Sequence, residues 1–541
     1  MSFMGEHVLN DAVSKTRTNF WFVFLVVSLI AFYCGIAWLA RGEYQWWYID
    51  FVADANVYWG DDSYRYFLAK TAFRNPDVYW FNFVLPLAVF FDGVLTTISN
   101  ESLYYSRALK SFPLVLSVFL VYFTCLKLDV KRVWAFLSAG MLAFFPIYVF
   151  VSLSFYGESW LVFFICLALF LLADKKMRAA ALVIGLMPLI RGESIGFVAS
   201  FSLFALLQRD RKLLFWALAP GSIYFCLITT IGPGLQNFLG WRLNVADVFE
   251  AVGIWYGGEI ERVFDVLYLP WLLIAVPALF LKEARPIWPC AIGSFYIVAR
   301  LLIAVELDRS SLEPRFFLGV IPVLVVGLAL GLNKLNSFCG SGQKAICCRV
   351  MSVGFMGLLL FLHVSSVHVA NELIDYVARN GELPPSVADA PLEMGTYFKK
   401  ADSETVAGYR EYAEIAMQML ERNPAVTTLM VSESSVLYFL DPKRIPRHVK
   451  VVFALFGWPT LRPVMEGDVT TGYFPHPPFS AYFALGLPKE GESLLLYLDD
   501  MKVEKYPYHW IVKGNSIYLF SAKEIEDARI KKMSKDDYLL R

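Results

Sequence analysis

Residues 179–207 read AAALVIGLMPLIRGESIGFVASFSLFALL, an apolar run interrupted by Arg191, Gly192 and Glu193. As one membrane helix, the run would bury two charges near the bilayer centre, at roughly 2.5–3.5 kcal/mol each. As two short helices, over 179–190 and 195–207, it leaves the charges in a turn. The choice fixes the direction of every later segment, and the basic residues decide it. Cytoplasmic loops are rich in Lys and Arg. Lys15 and Arg17 precede the first apolar run; Lys127, Lys131 and Arg132 follow the second. Lys175, Lys176 and Arg178 come after the fourth, and Arg209, Arg211 and Lys212 after the sixth. Lys282 and Arg285, then Lys334, Lys344 and Arg349, keep the alternation only if residues 179–207 cross twice. Each half is shorter than a ~30 Å hydrocarbon core, so their shared turn is expected to dip below the membrane surface.

Composition agrees with a polytopic α-helical membrane protein. The chain is 57% hydrophobic and 18% charged, with a mean hydropathy of +0.52, against about 25% charged in soluble domains. About eleven spans are expected, near residues 20–40, 108–126, 133–151, 159–173, 179–190, 195–207, 213–231, 266–281, 286–305, 316–332 and 350–369. The first is too long for a signal-peptide core and is read as retained. The N-terminus is then cytoplasmic, with residues 41–107 and 371–541 outside. A net charge of zero gives no bulk electrostatic case for nucleic acid. Cys339, Cys347 and Cys348 share one inner loop, and the long outer regions hold no cysteine, which fits a reducing cytoplasm and needs no disulfide framework. His363 and His368 lack metal-ligand spacing on a helix. No phosphate loop, zinc motif or dinucleotide fingerprint occurs, so neither metal nor cofactor is expected.

The outer regions carry the polar detail. Residues 44–49 (YQWWYI) read as an interfacial aromatic belt. Residues 78–98 are apolar but contain Asn82, Pro86 and Asp92, and read as a helix lying in the interface. Residues 232–265 form a second, Gly-rich outer loop. Beyond residue 370 the pattern changes. Residues 403–421 are amphipathic, 426–431 and 449–454 are β-branched runs, and Lys513-Gly514-Asn515 marks a hairpin turn. The expected division is a membrane module over 1–370 and an extracytoplasmic α/β domain over 371–541.

Asp61-Asp62 is the leading candidate for chemistry. A carboxylate near the membrane surface can take the proton of an attacking hydroxyl; an acidic turn opening a helix would look the same in sequence. The run Asp61-Asp62-Ser63-Tyr64-Arg65-Tyr66-Phe67-Leu68-Ala69-Lys70 resembles the acidic motif of the GT-C glycosyltransferases, the multi-span superfamily of protein O-mannosyltransferases, lipid A aminoarabinose transferases and glycolipid-anchor mannosyltransferases. Those enzymes place an Asp-Glu or Asp-Asp pair in the first outer loop and use polyprenyl-phosphate sugars. Here the second acid is Asp, which leaves open which of the two is the base.

Three further stretches fit the resemblance in order. Residues 146–159, with Tyr156 and Glu158, are similar to an outer turn whose acid faces the cavity. Glu313-Pro314-Arg315-Phe316-Phe317 ahead of Pro322 is similar to the entry of a late span. Residues 417–446 resemble the start of an outer domain. The resemblance implies inverting transfer from a polyprenyl-phosphate-sugar lipid to a glycan, lipid or protein acceptor; the Cys-free outer regions and the loop charges point to a bacterial inner membrane with the C-terminal domain periplasmic. The resemblance also implies Asp61 or Asp62 as base and points to Glu158 and Arg315 as substrate-binding residues; Tyr156 and Arg309 beside them, and Arg191 and Glu193, held below the surface by their short flanking helices, are the other substrate-binding candidates. Each has a plainer reading: Glu158 as a helix cap, Arg309 and Arg315 paired with Glu306, Asp308 or Glu313, Tyr156 as core. A lipid-linked oligosaccharide polymerase and a transporter or flippase are the rival functions.

Overall fold

A computed structural model describes residues 61–74, 85–143, 154–230, 269–306, 318–338, 434–453, 508–513 and 516–521, most of 410–431, and isolated positions elsewhere. Helix α1 (Asp61–Thr71) opens on the two aspartates. Helix α2 (Pro86–Ile98) starts on a proline, whose missing N–H has no partner to lose at that position. Helix α3 (Leu103–Lys110) is capped by the Ser102 hydroxyl, which accepts from the Tyr105 amide, and runs almost directly into α4 (Phe112–Lys127). Then come α5 (Arg132–Ala143) and α6 (Glu158–Ala173). Helix α5 is described to Ala143, and further along the run expected over 133–151, Tyr148 and Val151 are helical as well.

Residues 179–207 form two helices, as the charge alternation requires. Helix α7 (Met177–Leu186) ends in a 3-10 turn, Met187–Leu189, that contains Pro188. Arg191 is extended (φ −147°, ψ 128°), a second 3-10 turn spans Gly192–Ser194, and α8 (Ile195–Leu207) follows. The remaining helices are α9 (Arg211–Thr230), α10 (Leu269–Ala278), α11 (Trp288–Glu306) and α12 (Ile321–Phe338).

The helix ends gather at two polar poles. At the first, Lys127 and Lys176 both pair with Asp174, the latter at 2.9 Å. Asn333 accepts from the Lys131 amide at 3.2 Å, and Lys334 meets Glu283 at 3.3 Å. At the second, Arg191 pairs with Glu158 at 2.9 Å, and the Tyr224 hydroxyl donates to the Tyr79 carbonyl at 3.4 Å. Helix α7 therefore leaves the first pole and α8 returns to it. Helix α8 then runs against α11, with Ser200 Oγ donating to the Pro289 carbonyl at 2.6 Å while Gly196 abuts the Tyr296 ring. That order of contacts is antiparallel.

Helix α12 is central, with residues 321–332 buried on all sides as far as Leu332. Large apolar side chains also face outward, among them Leu207 (77% exposed), Phe280 (72%) and Leu273 (70%). Among the described residues, two stretches are long and apolar enough to cross a membrane, Tyr105–Lys127 and Ile321–Phe338; the apolar helices α2, α5 and α6 are shorter. The runs over 20–40 and 350–369 fall almost wholly outside the described residues.

Near the C-terminus, helical residues lie within 410–421. Strands β1 (Thr428–Val431), β2 (Lys450–Phe453), β3 (Tyr508–Lys513) and β4 (Ser516–Ser521) form one sheet in the order β2-β1-β4-β3. Strand β1 is parallel to β2 and β4, and β3 pairs antiparallel with β4 with Lys513 opposite Ser516. That register is the one a hairpin would have; the turn expected at Lys513-Gly514-Asn515 itself falls on 514 and 515, outside the described residues. Between β1 and β2 lies a 3-10 turn, Ser434–Tyr438.

Candidate active site at one end of the bundle

The second pole gathers most of the buried charge. Glu158 occupies the first turn of α6, where a carboxylate favours the helix dipole. It is not the cap; Gly157 holds that position with no side-chain bond. Its side chain is 3% exposed and its oxygen lies 2.9 Å from Arg191 Nη1. Arg191 Nε donates to Glu193 Oε1 at 2.5 Å. One guanidinium thus bridges two carboxylates. Charges taken out of water at this depth persist only when paired, and the extended backbone at Arg191 is what lets the guanidinium reach both acids.

Helix α1 supplies the neighbouring wall. Asp61 and Asp62 are its first two residues; their side chains lie outside what is described. Arg65, one turn from Asp61, is buried, with its guanidinium 5.6 Å from the centre of the Tyr156 ring, a cation over an aromatic face. Tyr66 packs on Phe155 at 4.8 Å, and its hydroxyl donates to the Glu101 carbonyl at 2.6 Å.

A second charged group ties α2, α3 and α6 together. Asp92 accepts from Trp160 Nε1 at 2.6 Å and from Lys110, whose ammonium lies 5.1 Å from the Trp160 ring centre. Phe91 stacks on the same indole at 4.6 Å. Burial pushes the Asp92 carboxyl above the ordinary range, opposed by Lys110, Trp160 and Arg65. A Cβ added at Gly157 would sit 3.5 Å from the Arg191 side chain and 3.7 Å from that of Ala88, so α2 packs beside the turn next to the Glu158–Arg191 pair.

Of the residues singled out from sequence, Tyr156, Glu158, Arg191 and Glu193 meet at this pole. Arg309 and Arg315 lie outside the described residues. Sequence reasoning missed Arg65 and the Asp92–Lys110–Trp160 group. Signals for them were present: Arg65 is four residues from Asp61, the spacing of helical ion pairs, and Asp92 is a lone charge in an apolar run.

No family model and no curated protein matches the chain. Among solved structures it is similar to ArnT from Cupriavidus metallidurans in the apo state, at 15% identity and a TM-score of 0.48, over 80% of this chain and 86% of that one. It is also similar to ArnT from Cupriavidus metallidurans bound to undecaprenyl phosphate, at 14% identity and a TM-score of 0.45, over 92% and 98% of the two chains.

Proposed function

We propose that this chain is a membrane glycosyltransferase that moves a sugar from a polyprenyl-phosphate donor to an acceptor hydroxyl on the extracytoplasmic face. One observation carries the reading: the Glu158–Arg191–Glu193 bridge and the buried Arg65 meet at one pole, beside the helix that opens on Asp61-Asp62. The resemblance of residues 61–70 to the GT-C motif supplies the reaction class. Outward-facing apolar side chains on α8, α10 and α11 support a lipid surround. The Lys-rich first pole is then cytoplasmic by the positive-inside rule, and the site faces outward. Residues 1–370 form the membrane module and 371–541 a periplasmic domain at the bacterial inner membrane.

In this reaction Asp61 or Asp62 takes the acceptor's hydroxyl proton as its oxygen bonds to the anomeric carbon. The bond from that carbon to the phosphate oxygen breaks on the opposite side, inverting the centre, and polyprenyl phosphate leaves with the electron pair. Fixed cations stabilise the charge it gains. Arg315 and Arg65 take that role. Arg191, held by two carboxylates, keeps Glu158 and Glu193 in place to bind sugar hydroxyls. Asp61→Asn and Asp62→Asn test the assignment. One of them should lower transfer by about 10²–10⁴-fold with the protein still inserted, and two near-normal variants would remove the acidic pair from catalysis.

A further inference from the structure

Helix α1 is 11 residues long, shorter than a helix that stands alone in water. Yet residues 65–71 are buried without a break. Seven successive side chains point around the whole circumference of a helix, so α1 needs walls on every side. Helix α2 is one: a Cβ added at Gly93 would fall 2.6 Å from that of Ala72. The segment before α6 is another, through Phe155 against Tyr66.

The third wall comes from the far end of the chain. Lys70 is buried and donates to two main-chain carbonyls, Tyr438 at 3.0 Å and Leu440 at 2.5 Å. Carbonyls at the end of a helical turn have no partner within it, and an ammonium with three donors can meet two of them. Tyr438 is engaged three ways. Its ring lies 6.0 Å from that of Tyr66, its hydroxyl accepts from Arg107 Nη2 at 3.2 Å, and its carbonyl holds Lys70. At the rim, Glu101 takes Arg74 at 2.7 Å and Lys443 at 3.2 Å. Residues 434–443 are thus fastened to α1 and to the α2–α3 corner at once.

We propose that Lys70 is a positioning residue. It clamps the C-terminal end of α1 to the 434–443 segment, and so holds the acidic pair roughly 2.5 turns away in its working place. The distal segment is then part of the active site. This rests on the transferase reading above, because it takes Asp61-Asp62 as the groups being positioned. The helix acts as a short rigid lever, and misplacing a reacting group by about 1 Å can cost 10²-fold in rate.

The test uses the full-length chain in detergent or lipid. Lys70→Met keeps the length and removes both bonds; Lys70→Arg restores a cation that can reach two carbonyls. We expect Lys70→Met to lower kcat about tenfold or more with KM for donor and acceptor little changed, and Lys70→Arg to recover part of it. Hydrogen exchange should rise in residues 61–71 and 434–443 of Lys70→Met, a readout that needs no turnover. Wild-type exchange and kcat in a folded Lys70→Met would overturn the clamp. If that variant fails to fold, Lys70→Gln decides, since its shorter, uncharged side chain weakens the hold on the two carbonyls. A lowered kcat at constant KM supports the clamp, and an unchanged kcat overturns it. Asp61→Asn and Asp62→Asn run alongside separate the two ideas. Two active acid variants remove the acidic pair from catalysis, and with it the groups the clamp would position, whereas an essential acid with an indifferent Lys70 sinks only the clamp.

Discussion

Arg191 holds two acids, and the three charges do not depend on one another equally. Losing Glu158 leaves Arg191 with Glu193; losing Arg191 takes an ion-pair partner from both carboxylates, one of them 3% exposed. Breaking a buried pair by removing one partner costs roughly 3–5 kcal/mol. Arg191→Gln should therefore lower the unfolding temperature clearly more than Glu158→Gln, and equal shifts would count against the bridge. Lys70 makes a pH argument at the same scale. Burial pushes its ammonium down to about 7 from 10.5, with Glu101 and Asp441 pulling the other way and Arg74 adding to the fall. Between those values the unfolded chain binds the proton that the folded chain has released. Stability gains from this group as pH rises from about 7 to 10.5, and its burial penalty is fully present below 7. Thermal unfolding across that window should show the slope in the wild type and a flatter one in Lys70→Met.

The contact between α1 and α2 is tight enough to test at the level of whole elements. Gly93→Ala places a methyl 2.6 Å from Ala72 Cβ, and overpacking of this kind costs about 1–3 kcal/mol. Ala72→Gly removes the obstructing atom, so the double variant should regain most of the lost thermal stability; no rescue would mean that the helices do not approach there. What could be read from sequence follows the range of each interaction. Apolar runs and basic loops are local properties, and they located the helices from α4 to α12, the break at Arg191 and the β3–β4 hairpin. Pairings between distant elements left no such trace. Glu158 and Arg191 were both singled out, but that they bind each other depends on how α6 and the Arg191 turn meet. Asp92 with Lys110 and Trp160, and Lys70 with Tyr438, are likewise products of packing, so sequence showed the charges without their partners.

Across the whole molecule, two opposed polar poles and an apolar flank make sidedness testable. Cysteines placed at Ser403 or Ser480 should react with an impermeant thiol reagent added from outside, and one at Gly342 should not; outside labelling at Gly342 alone would reverse the assignment of the poles. The charge contacts also differ in when they can form. As the chain leaves the ribosome, Lys110 meets an Asp92 made 18 residues earlier, and Arg191 meets a Glu158 already present. Lys70 must wait for carbonyls made 368 and 370 residues later. At 5–20 residues per second that delay is roughly 20–70 s. Throughout it, the nascent protein can insert its helices and neutralise their charges while the acidic helix still lacks one wall. If Lys70 positions the acidic pair as proposed, a chain that ends before residue 438 would lack that wall, and activity could appear only after translation has passed it.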